Sequence, residues 1–191
     1  MNKINSDYNF LLKLKHWQLF FFLLGIPLLL ELIGIILIHP TNIYDVLNIN
    51  LYLMPIIISV IMLFLFRWFW SVGIILYKKI SFDMNLKRFK AALLFSFTYM
   101  ILFLFFILSV FLAFVNRKEG FPSIVNIIIL ALYLFSILCL IYVVHFISKL
   151  LIGMKLVRRP FIKEYVGCFF LLLFFTVGIW FIQPKINGLT R

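Results

Sequence analysis

Charge is what this sequence has least of. Asp, Glu, Lys and Arg make up only 13% of its 191 residues, about half the ~25% usual in a soluble domain. With 65% hydrophobic residues, the chain lacks the polar surface that a water-soluble fold of this size needs. Acidic side chains are the rarest, six in all. There is no spaced pair of carboxylates for acid–base work, no Ser–His–Asp set and no Gly-rich phosphate loop, so nothing points to an enzyme. Two cysteines are too few for a disulfide framework, and no Cys–His spacing suits zinc. Cys139 and Cys168 read as small apolar residues within spans. No cofactor is expected.

What the chain does have is long apolar runs, and a mean hydropathy of +1.17. These are the mark of membrane-spanning helices, each needing about 20 apolar residues to cross a ~30 Å hydrocarbon layer. Five such runs fall at 19–38, 51–77, 91–115, 124–148 and 165–182. The expected fold is therefore all-α, a polytopic membrane bundle of about five transmembrane helices with no room left for a soluble domain. Residues 1–18 mix basic and apolar side chains and suit either an interfacial helix or a charged flank of the first span. No small-residue cleavage site follows that span, so it reads as a retained signal anchor.

The net charge of +12 does not imply nucleic acid, because the basic residues are not one patch. Thirteen of the eighteen Lys and Arg fall in 1–18, 78–90 and 149–164, and four in 39–50, 116–123 and 183–191. This alternation is the positive-inside pattern. It places the N-terminus in the cytoplasm and, with five crossings, the 183–191 tail outside. The basic segments should meet anionic lipid headgroups. Phe82, Leu86 and Phe89 could lie along the membrane surface.

The eighteenth cation is Arg67, well inside the second run. A guanidinium at that depth costs several kcal/mol unless paired, hydrated or able to snorkel. Glu31, the only acidic residue within any run, lies ~18 Å from the inner end of span one, and Arg67 ~16 Å from that of span two. Matched depth on antiparallel neighbours predicts an intramembrane Glu31–Arg67 ion pair. Ser59, Ser71 or Tyr99 would support it, with Ser59, Leu63, Arg67 and Ser71 forming an inward face. The pair could fix helix register, line a proton or ion path, or dock a partner's helix. His145, near the cytoplasmic end of span four, could titrate near neutral pH, and Ser136, Cys139 and Tyr142 precede it as a weak polar line. Pro27 should kink span one, Pro55 should sit in the first turn of span two, and Trp180 should anchor span five at the outer interface. Gln183 should cap the last carbonyls there, and Pro184 should stop the helix.

The last 45 residues or so carry a resemblance. Ser148-Lys149, Glu164-Tyr165-x-Gly167-x-Phe169-Phe170-Leu171 and above all Gly178-Ile179-Trp180-Phe181-Ile182-Gln183-Pro184-Lys185-Ile186-Asn187 resemble a segment of small uncharacterised multi-pass inner-membrane proteins of Bacteroidota. The resemblance implies a bacterial inner-membrane protein and no particular activity. The expected role is that of an accessory or assembly subunit working through a membrane partner. The alternative is a small channel or the permease component of an ABC-type exporter, with 78–90 or 149–164 meeting an ATPase. A lipid-acting enzyme would have to use Glu31, Arg67 or His145.

Overall fold

A computed structural model describes residues 14–38, 43–80, 82–115 and 123–190. The interfacial segment expected before residue 14, the 116–122 turn and residues 39–42 of the first turn lie outside the described residues. Among the described residues the chain forms six helices. Helix α1 has three stretches, His16–Phe20, Phe21–Gly25 and Ile26–Ile38, followed by α2 (Ile43–Lys79), α3 (Leu86–Val115), α4 (Ser123–Leu156), α5 (Ile162–Leu173) and α6 (Phe175–Thr190). No strand occurs among the described residues. The fold is an all-α bundle, and α1 to α4 are each long and apolar enough to cross a membrane. The fifth apolar run is present but broken into α5 and α6.

Local sequence accounts for most departures from plain helix. Pro27 lacks an N–H and its ring crowds the preceding turn. Relief comes as π geometry over Phe21–Gly25, where the Ile26 N–H reaches the carbonyl of Phe21. Residues 43–50, expected in an external turn, are instead the first turns of α2. Pro55 accordingly lies well inside α2 rather than in its first turn. At the other end Asn85 caps α3, its side-chain oxygen accepting from Arg88 N–H at 3.0 Å. Helix α4 runs eight residues beyond the expected limit and ends where Val157 adopts a left-handed φ of 55°. That is a conformation a β-branched residue rarely takes.

The core lies at one end. Helix α2 is central, packing against α1, α3 and α4. Trp68, Val72 and Leu76 of α2 meet Phe89, Leu93 and Phe97 of α3 and Val143, Ile147 and Leu151 of α4. Four-residue spacing on each helix supplies the buried stripe. Phe89 stacks on Phe146 with centroids 4.5 Å apart, beneath Gly73, where a Cβ would fall 2.3 Å from the Phe89 ring. Phe89 is therefore core and not membrane surface. Phe82 likewise packs on Gly153. All of this lies in the half of the bundle that carries Lys78, Lys79, Lys87 and Arg88, the basic end.

The 165–182 run does not form one span. Phe174 leaves the helical region at φ −91°, ψ 61°, and the chain turns so sharply that a Cβ on Gly178 would stand 1.6 Å from the Leu171 carbonyl oxygen. Along a straight helix those residues would be ~10 Å apart. Phe175 then packs on Trp68 and Phe69, and Trp180 meets His16 and Phe20. Both arms of this corner lie against the basic half. The end of α6 thus sits beside the head of α1, where five full crossings would set the two at opposite ends. Trp180 packs on that head, and Pro184, expected to end the helix, lies inside α6.

Candidate functional site

The structure does not bring Glu31 and Arg67 together. Phe22 stacks on Phe64 at 5.8 Å, and a Cβ on Gly34 would come within 3.0 Å of Leu53. This register sets Glu31 opposite the Pro55 turn and Arg67 level with the Leu19 turn, ~17 Å apart along the helices. That exceeds the combined reach of the two side chains. Matched depth requires the inner ends of the two spans to lie level, whereas α1 docks about ten residues (~15 Å) further from the basic end of α2.

The supposed inward face also dissolves. Residues four apart rotate ~40° per step, so Ser59 to Ser71 drifts through ~120°. Ser71 reaches the core while Leu63 and Arg67 are exposed. Ser59 and Ser71 donate to the carbonyls of Pro55 and Arg67, one turn back. Tyr99 lies tilted against Phe95 of its own helix, with centroids 4.5 Å apart.

Arg67 instead lines a cleft of about 390 Å³ between α2 and α3, with Phe66, Trp70, Lys90, Ala91 and Leu94. The Lys90 ammonium stands 5.5 Å from the centre of the Trp70 indole, in cation–π range. Among the described residues, those lining this cleft include no acidic side chain. Lys90 was legible only as one basic loop residue. Its place one turn inside α3 follows from the Asn85 cap, which the sequence reading did not use.

A second constellation forms where α6 meets α1 and α2. Gln183 is fully buried. Its Oε1 accepts from the Trp68 indole N–H at 3.2 Å, and its Nε2 donates to the Leu14 carbonyl at 3.0 Å and to Asn187 Oδ1 at 3.2 Å. Asn187 Nδ2 donates to the same Leu14 carbonyl at 3.2 Å. Gln183 therefore ties α6 to α2 and to the backbone just before α1 rather than capping one helix. The Leu14 carbonyl precedes α1 and has no partner within it, so side-chain amides satisfy it.

His145 has a partner on α5. Tyr165 Oη and His145 Nδ1 share a hydrogen bond at 3.3 Å, with the rings edge-to-face at 5.2 Å. The line leading to His145 is not continuous, since Ser136 donates to the Tyr133 carbonyl one turn back. An ion pair that does form joins Arg158 Nη2 to Glu164 Oε1 at 2.5 Å, outside the spans. Glu164 Oε2 accepts from the Phe161 N–H at 2.7 Å, capping α5. The Arg158 hydrogen bond, then the Phe161 N–H, hold the Glu164 carboxyl below its ordinary range. Among the described residues no three His, Cys, Asp or Glu side chains gather as a metal site. What these constellations can do chemically is bind and brace.

Compared with known proteins, the chain matches no family model, no curated protein and no solved structure.

Proposed function

We propose that this protein is a non-enzymatic accessory or assembly subunit of the bacterial inner membrane, working through a membrane partner that packs on the end opposite the basic one. One observation carries the proposal: among the described residues the buried contacts gather at the basic end, and the apolar helices leave their faces exposed away from it. Successive residues of α1 — Leu28, Leu29, Leu30, Leu32 and Ile33 — are all exposed, as are Ile124, Val125, Ile127 and Ile128 of α4. Consecutive residues point ~100° apart, so these stretches expose nearly every face, relieved on α1 by the approach of Gly34 to Leu53. Association of helices in lipid rests on close packing, and here the packing surface is available rather than used. The inner-membrane location rests on the charge alternation and on the resemblance of the last segment.

Photo-crosslinking side chains placed at Leu29, Ile33 and Ile128 of the full chain in native membranes test this. The expected result is a discrete adduct with another integral membrane protein from these positions and none from Leu94, which faces outward elsewhere. Recovery of lipid adducts only would overturn the proposal. So would stoichiometric recovery of an ATPase on the basic end, which assigns the chain to transport. Loss of function on alanine substitution of Glu31, Arg67 or His145 in a correctly assembled protein would favour an enzyme.

A further inference from the structure

We infer that the α2–α3 cleft is a binding site for one anionic phospholipid of the leaflet at the basic end, its phosphate held by Arg67 and Lys90 and its acyl chains lying on Phe66 and Leu94. Both cations and both apolar residues line the same cleft of about 390 Å³. Arg67 and Leu94 are exposed, the latter 58%, so the cleft opens sideways into lipid and a headgroup can enter from the leaflet. Its mouth lies beside Lys87 and Arg88, both exposed, which enrich anionic lipid around it.

Geometry sets the division of labour. Arg67 stands one turn beyond Trp70 on α2, and the Lys90 ammonium lies against that same indole, so the two cations sit within about one turn of each other in depth. Lys90, on the side of the basic end, meets the phosphate first. Its ammonium is kept over the Trp70 indole, which limits the entropy lost on binding. The planar Arg67 guanidinium can meet two of the phosphate's oxygens. A free phosphate ion would gain the charges but not the apolar wall. The occupant is thus a lipid and not a soluble anion.

The test is lipid titration of the purified full chain in mild detergent, read by native mass spectrometry and by the thermal midpoint. The probes are phosphatidylglycerol, phosphatidylcholine with identical acyl chains, and glycerol 3-phosphate. Phosphatidylglycerol should be retained as a single adduct and should raise the midpoint, and the other two should not. Arg67→Gln and Lys90→Gln should each weaken retention roughly five-fold, the worth of one basic side chain near anionic lipid. Arg159→Gln, also basic but outside the cleft, should leave it unchanged. If Arg67→Gln does not fold, Lys90→Gln at the mouth carries the test alone, with Lys90→Arg expected to retain binding. Equal retention of both lipids, equal binding of glycerol 3-phosphate, or undiminished selectivity in Lys90→Gln would each overturn the assignment.

Discussion

Replacing Gln183 by leucine removes the acceptor that the Trp68 indole N–H meets at 3.2 Å. Trp68 is fully buried, so its donor would have no water to turn to. An orphaned buried donor costs ~1–3 kcal/mol in proteins generally, and hydrogen bonds between membrane helices average ~0.6 with a maximum near ~1.7 kcal/mol. The expected loss for Gln183→Leu is therefore about 1–2 kcal/mol. The Leu14 carbonyl adds little to this, because Asn187 still donates to it. Trp68→Phe should cost about as much, since it removes the indole donor to Gln183 and leaves a void beside Phe175. In the double variant neither polar group remains, so its loss should fall short of the sum of the two by about 1 kcal/mol. Reversible unfolding in bicelles by titrated denaturing detergent gives all three values. Additivity within ~0.3 kcal/mol would refute the idea that this bond braces α6 against α2.

The remaining predictions concern the corner, the linker and the abandoned pair. Gly178→Ala places a methyl against the Leu171 carbonyl; because backbone must move, unfolding should show a loss of ~3 kcal/mol or more, beyond ordinary overpacking, whereas Gly167→Ala, with open space around it, should be neutral or slightly stabilising. Glu164 has its carboxyl lowered by Arg158 and the Phe161 N–H, so its contribution is present above the unfolded pKa near ~4.3 and is lost as pH falls through the lower folded value; a pH series should show this loss in the native chain and not in Glu164→Gln. Exchanging charges in Glu31→Arg with Arg67→Glu should fail to rescue either single variant, since ~17 Å separates the two positions along the helices. Rescue measured by assembly yield would restore the pair and contradict the Phe22–Phe64 register.

Much of this fold was legible in the sequence, for physical reasons that also mark where legibility stopped. Run length and loop charge report the environment of a whole segment, so an all-α bundle of about five apolar runs and its basic end followed directly, and four of those runs are helices long enough to cross a membrane. Register did not, because depth counted from span ends assumes that neighbouring helices end level. Helix α1 starts well short of the end of α2, so the Glu31–Arg67 match failed. The corner at Phe174 escaped because the run around it is uniformly apolar, and Phe174 is no helix breaker by type. Gly178 is a local signal there, since only a residue without a Cβ fits against the Leu171 carbonyl. Pro184 misled in the opposite direction: it is exposed, and membrane helices tolerate proline where neighbours satisfy the freed groups. Gln183 was named as a candidate from its position alone. Its partners Trp68 and Leu14 lie more than a hundred residues away, a distance no local pattern spans.

The central claim is that the last apolar run turns back at Phe174, so that α6 ends on the side where α1 begins. Gly188 is exposed and has open space around it, which suits it to carry a reporter. In a chain with Cys139 and Cys168 replaced by alanine, Gly188→Cys should resist a membrane-impermeant maleimide in intact cells and react once the membrane is opened, as Lys78→Cys does. Labelling of Gly188→Cys in intact cells, with Lys78→Cys still protected, would place α6 across the membrane and contradict the fold.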